Sequence, residues 1–213
     1  MLAVMVGLGV WQLQRLVWKR ALLAEIEQGE ALSPTPLGDI PVPFRRVVVQ
    51  GRFIPVQARY GAEVRTIEAG PVMGAHVIGA IMRQAGLPIL IDRGWAPLAY
   101  EDAAPSGLVR VEGYVRPPEP AMSWLGVKDD PLHRRFFSLD PAVIGLSLGL
   151  QNAAPFTIVE LGPAAGFPMP STNLPRPPND HLSYAVTWFG LAFSLLVVFG
   201  IYARQSARKD GRL

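Results

Sequence analysis

His181 is the residue whose chemistry carries furthest in this chain. It stands at the head of an apolar run, residues 182–203, that contains no charged side chain. At helical spacing Tyr184, Ala185 and Trp188 fall on its face, three, four and seven positions on. An imidazole above an aromatic stripe suits axial ligation of haem iron, because a macrocycle would lie against apolar and aromatic groups. The ordinary alternative is a histidine bonded to lipid headgroups, since Tyr and Trp concentrate at membrane interfaces. Trp11, Arg15 and Trp18 form a second stripe, spaced four and three apart. Arg15 and Lys19 could pair with propionates or lipid phosphates, and the planar fork of Arg matches a carboxylate. Interfacial anchors that snorkel to phosphates have the same composition.

Other groups carry less. Asp92-Arg93-Gly94-Trp95 closes an apolar run; the glycine permits a turn, and the Trp could cover a sheet edge or face a partner. Arg93 reads as one half of a structural ion pair. Asp129 and Asp130 are adjacent acids in a loop, where such neighbours are usually only solvated. The three histidines, His76, His133 and His181, are too scattered for a metal cage by spacing, and the absence of cysteine removes thiolate chemistry and disulfides. No nucleophile elbow, phosphate loop, dinucleotide fingerprint or zinc-helix motif occurs. The chain therefore reads as a non-enzyme.

The elements that must position these residues begin with the membrane. A helix over residues 182–203 would extend about 33 Å, enough for a hydrocarbon core of about 30 Å. Arg204, Arg208, Lys209 and Arg212 follow at once, and against Asp210 they account for the whole formal net charge of +3. Basic residues beside a span favour the cytoplasmic side, so the chain before His181 is expected outside it. The remainder is neutral on balance, which argues against a nucleic-acid surface. Residues 1–11 are apolar and too short to span alone. They lack the basic start and cleavage pattern of a signal peptide. They read as the outer half of a first transmembrane helix, truncated at its start or extended through Leu13 and Leu16 to Trp18, with Arg15, Lys19 and Arg20 at its end.

Six segments are expected: a first transmembrane helix and its extension (1–28), a Pro-rich linker (29–43), a β-rich extracytoplasmic domain (44–162), a Pro-rich connector (163–179), a second transmembrane helix (180–203) and a basic cytoplasmic tail (204–213). Within the domain, strands are predicted over 46–53, 71–82, 87–92, 108–115 and 156–161. A helix should start at Pro141 with Asp140 as its N-cap and run towards Leu150. Strand spacing is too short for repeated helical crossovers, so the fold class is an α+β membrane protein. Two transmembrane helices flank a mostly antiparallel, barrel-like sheet with a short helix.

Three segments taken in order resemble the Surfeit locus protein 1 family of haem-copper oxidase assembly factors. Gly9-x-Trp11-Gln12-x-x-Arg15 is similar to the family pattern at the end of its first span. Leu90-Ile91-Asp92-Arg93-Gly94-Trp95-Ala96-Pro97 resembles an apolar strand closing in Arg-Gly-Trp-x-Pro. Asn179-x-His181-x-x-Tyr184-Ala185-x-Thr187-Trp188-Phe189 resembles the start of the last span. The resemblance implies a bacterial inner-membrane protein with a periplasmic domain that binds haem a and aids its insertion into oxidase subunit I. Haem a synthase and membrane lipid are further expected partners. It points to His181 as the haem-iron contact; on the spacing read above, Tyr184, Trp188, Trp11, Arg15 and Trp18 are expected around the porphyrin. The alternative is a membrane-anchored scaffold that holds nascent subunits through Arg93, Gly94 and Trp95.

Overall fold

The β-branched run at residues 46–53 forms a strand, and closure of a sheet around it organises the central domain. The computed structural model describes residues 1–38, 41–101, 103–119 and 128–210, without the side chains of 207–210. The elements are α1 (Leu2–Ala31), β1 (Thr35–Pro36), β2 (Arg46–Phe53), β3 (Ala58–Ile67), β4 (Gly70–Met82), β5 (Ile89–Pro97), β6 (Val109–Arg116), β7 (Arg135–Phe136), α2 (Pro141–Ser147), β8 (Thr157–Glu160) and α3 (His181–Asp210). They divide into two units, Ile26–Pro175 and the pair Met1–Glu25 with Arg176–Leu213.

In the first unit the strands run in the order β2, β6, β8, β5, β4, and β4 returns to β2 through Arg52↔Met82 and Phe53↔Ile81. The result is a closed five-stranded barrel. Its pairings are antiparallel except β5 with β8, which are parallel. Strand β4 is 13 residues long, and β3 occupies the part of its edge that β2 leaves free. Short β1 and β7 extend the sheet beyond β2 and β3.

Alternation sorts the side chains into two cores. Val47, Val49, Ile81, Ile89, Ile91, Val111, Val115 and Ile158 fill the barrel with Phe156 and Ala154. Ala80, Leu90 and Ile78 point the other way, where Phe136, Leu139, Ile144 and Leu148 cover them. Strands 4 and 5 are thus buried on both faces, which is why their sequences read as near-continuous apolar runs. Helix α2 brings Ile144 and Leu148 to this outer layer. Asp140 caps it, accepting from Ala142 N at 2.9 Å and Val143 N at 3.4 Å, and Pro141 sits where no backbone donor is needed.

Several features differ from the sequence expectation. Helix α1 runs to Ala31, past its expected end at 28, because Glu27, Gln28, Glu30 and Ala31 are helix formers and proline first intervenes at 34. Strand β3 was not foreseen. It carries Arg59, Glu63 and Arg65, has a register shift after Tyr60, and Gly61 there has φ +69, so no clean alternation survives. Strand β5 does not end at Asp92 but continues to Pro97, so Gly94 forms no turn. Among the described residues one helix, His181–Ser206, is long and apolar enough to cross a membrane. From Arg15 on, α1 carries Arg15, Lys19, Arg20, Glu25, Glu27 and Glu30, and α1 does not reach that measure. Arg212 and the side chains of Arg208 and Lys209 lie outside the described residues.

Gly94 is fixed by its surroundings. Its φ is +110, and a Cβ there would lie 1.9 Å from the Met169 carbonyl oxygen. Backbone bonds between Trp95 and Met169, of 3.0 and 2.7 Å, lay residue 169 against this strand. Gly94→Ala should therefore cost about 3 kcal/mol, combining left-handed strain with overpacking. Gly107 has φ +87 but open space around its Cα, so Gly107→Ala should cost only about 1 kcal/mol. Denaturant unfolding of the detergent-solubilised protein, followed by tryptophan fluorescence, measures both.

Candidate functional site

In the second unit the first helix shows a burial rhythm of threes and fours. Gly9 and Leu16 are buried, and Met5, Gln12 and Lys19 are half-buried between and beside them. On α3, Ala185 and Ala192 are buried, and His181, Trp188 and Phe189 are half-buried. That spacing is the narrow seam of two packed helices. A Cβ at Gly9 would lie 2.7 Å from the Phe189 ring, so the glycine makes room for it. Gln12 meets His181, and the two contacts step in opposite directions along the helices, which makes the pair antiparallel.

His181 Nδ1 lies 2.7 Å from Gln12 Oε1. An amide oxygen only accepts, so Nδ1 carries the proton and donates it. Among the described residues Nε2 has no hydrogen-bond partner. A neutral imidazole held in this way offers its Nε2 lone pair, which is the form that ligates a metal. Two residues earlier, Asn179 Oδ1 is buried and has no hydrogen-bond partner among the described residues.

The other predicted residues are distributed around the seam. Helical geometry, at about 100° per residue, sets Gly9 and Phe189 on one flank, where they touch. Arg15 and Tyr184 fall on the opposite flank, with Trp11 and Trp18 further round the same way. Trp11, Trp18 and Tyr184 are exposed, and Trp188 is half-buried beside His181's face. The Arg15 guanidinium stacks 4.4 Å from the Trp18 ring centre, a cation–π contact that holds its charge on the aromatic flank. The seam brings His181 to Gln12; it leaves the two exposed tryptophans of α1 without an aromatic partner among the described residues.

Arg93, Gly94 and Trp95 sit in the barrel unit, in strand β5. Trp95 is wholly buried; its indole donates to the Glu63 carbonyl at 3.1 Å and packs edge-on to Phe167. Arg93 donates to Gln57 Oε1 at 2.8 Å and lies over the Phe53 ring. Asp92, beside it, has no solvent exposure. Its Oδ1 accepts from His76 Nδ1 at 2.9 Å and from the Gly94 amide at 3.0 Å, and Oδ2 is buried without a hydrogen-bond partner. The partnership of His76 with Asp92 was not legible in sequence, because it follows from the register of β4 on β5. Asp129 is a turn builder: it accepts from the Ser138 hydroxyl, Phe137 N and Ser138 N. Burial raises its carboxyl, but these three donors outweigh it and hold the group below the usual range. Asp130 bonds His133 at 2.7 Å, which lowers it likewise. Among the described residues no three acids or histidines converge as metal ligands.

The chain thus combines a closed barrel, a helix long and apolar enough to cross a membrane, and a histidine at a helix seam. The SURF1 family model matches residues 1–193. The SURF1-like protein of Rickettsia felis is 29% identical over 213 residues, covering 95% of this chain and 93% of that protein. The Rickettsia prowazekii SURF1-like protein is 29% identical over 95% of this chain and 86% of its own. Surfeit locus protein 1 of Xenopus tropicalis is 29% identical over 87% of this chain and 67% of its own. The chain therefore belongs to the SURF1 family, a family of membrane proteins that are assembly factors rather than enzymes.

The polar layer outside the barrel makes a pH prediction. Tyr114 is 5% exposed, and burial pushes its phenol up to about 12; Arg116 pulls it down, and Asp92 and Glu119 add to the rise. The neutral phenol is favoured by folding, so its contribution is complete below the unfolded value of about 10. It is lost as pH rises from there through the folded value of about 12. Tyr114→Phe should flatten the alkaline decline in unfolding free energy between about pH 10 and 11, the lower half of that window. Denaturant titrations at the two pH values provide the check.

Proposed function

We propose that this protein is an assembly factor for a haem-copper cytochrome c oxidase, that it binds haem a as cargo, and that it aids delivery of that haem to subunit I. The observation that carries the reading is the state of His181: half-buried at a helix seam, with Nδ1 donating to Gln12 and Nε2 without a partner. The fit to haem rests on three properties of this chain. With Nδ1 donating to Gln12, a neutral imidazole would offer Nε2 as the unprotonated nitrogen that ligates iron. An aromatic and cationic flank, with Tyr184 and with Arg15 stacked on Trp18, adjoins the seam, and its guanidinium suits a propionate. The helices bearing these groups include one apolar enough to lie in the membrane, where a haem with a lipid-like tail is soluble.

In this reading α3 spans a bacterial inner membrane and α1 packs against it as a second membrane helix. The basic residues after Ala203 lie in the cytoplasm, and the barrel domain lies outside. His181 then stands at the outer boundary of the bilayer, where cargo could pass between partners without crossing water.

Co-expression with haem a synthesis, followed by detergent purification, tests this directly. The wild-type protein should carry haem a with a distinct optical spectrum. His181→Ala should lose most of it, by about tenfold or more, as expected for removal of an iron ligand. A His181→Ala protein with full haem content and an unchanged spectrum would remove His181 from the site.

A further inference from the structure

We infer that Gln12 is a positioning residue for His181: its side-chain carbonyl fixes the imidazole as the Nδ1–H tautomer and so presents Nε2 as the atom that meets iron. This deepens the haem-binding proposal and rests on it for the identity of the cargo.

The argument starts from the inventory of groups. Imidazole has two nitrogens, and in the neutral ring one donates while the other accepts. Free imidazole exchanges the proton between them, and a ligand-binding site that leaves this unsettled loses part of its population to the wrong tautomer. Histidines that bind metals are commonly held by a hydrogen bond from the non-ligating nitrogen to a carboxylate or carbonyl. Gln12 supplies such a carbonyl 2.7 Å from Nδ1, from a helix 169 positions away in sequence. Gln12 occupies a seam position, with Gly9 three residues before it and Leu16 four after, both buried. Its side chain is therefore confined towards α3. Ala185, one turn beyond His181, is small and buried, which keeps the backbones close enough for the amide to reach the ring.

A polar amide facing an apolar helix pair has a second possible use, which is to hold the helices together. The two uses predict different behaviour. As helix glue, Gln12 would matter for association, and the tautomer of His181 would be indifferent to it. As a positioning residue, Gln12 sets the tautomer in the cargo-free protein, and any side chain with an acceptor oxygen at that point would preserve it.

The experiment uses the full chain in detergent, labelled with nitrogen-15 histidine, in wild-type, Gln12→Leu, Gln12→Glu and His181→Ala forms. The His181→Ala spectrum identifies which imidazole signals belong to that residue, apart from His76 and His133. In cargo-free protein the His181 ring should show the proton on Nδ1 in wild type and in Gln12→Glu, and mainly on Nε2 in Gln12→Leu. Haem a affinity should fall by about ten- to a hundredfold in Gln12→Leu and stay near wild type in Gln12→Glu. The carboxylate should also move the potential of bound haem to more negative values, because it makes the imidazole a stronger donor. An Nε2–H ring in the wild-type protein overturns the inference, since the amide would then be donating to Nδ1. So does a Gln12→Leu protein with unchanged tautomer, whatever its haem affinity. If His181→Ala binds haem a as well as wild type does, His181 is not the iron ligand and the part of the inference that brings Nε2 to iron is overturned, while the tautomer measurement still reports on Gln12 alone.

Discussion

The barrel unit depends on a short stretch of pairing where β4 meets β2. Arg52↔Met82 and Phe53↔Ile81 join the first and last strands of the cylinder, and Ile54 N adds a bond to the Ala80 carbonyl at 3.0 Å. Without that join, two strand edges would stand open, with unpaired backbone donors and acceptors. Close approach makes it possible. A Cβ at Gly51 would lie 2.2 Å from the Ile81 side chain and 2.4 Å from the Met82 carbonyl oxygen, so only glycine lets the strands meet. Closure also encloses Ile81, Ile89, Ile91 and Ile158 completely, and each fully buried side chain of this size stabilises by about 1.5–3 kcal/mol.

The same economy of side-chain volume appears in the helix unit. Gly9 yields to the Phe189 ring, and Ala185 and Ala192 line the buried stripe of α3. Small residues at the seam let large ones, Phe193, Leu196 and Phe199 among them, face outward. An apolar outward face is stable where the surroundings are hydrocarbon. Small residues also confine the two polar side chains at the seam, Gln12 and His181, so that each becomes the other's partner.

Buried polar groups in both units are bonded only in part. In the barrel, Asp92, His76 and Trp95 are tied to backbone and to each other, and Asp92 presents no solvent-accessible face. These groups fix the bulged end of β5 against residue 169. At the helix seam one ring nitrogen of His181 is bonded to Gln12, while among the described residues the other has no partner and neither has the nearby Asn179 amide oxygen.

Local signals in the sequence determined much of this protein. Strand β2 and the core of β4, β6 and β8 follow from β-branched alternation, and α2 follows from Asp140-Pro141, because these patterns act over a few residues. The apolar helix at the end and the ordered motifs around Trp11, Trp95 and His181 were legible for the same reason. Strand β3 was not, since its edge position lets charged residues break the alternation. Nor was the run of β5 past Asp92, where a glycine that usually marks a turn instead admits a neighbouring backbone. Gln12 lay within a recognisable motif, yet nothing near it in sequence says that it faces His181. Tertiary structure decided the closure of the barrel, the His76–Asp92 pair and the Gln12–His181 contact. Each joins residues far apart along the chain, and only packing and strand register bring such atoms within hydrogen-bond range.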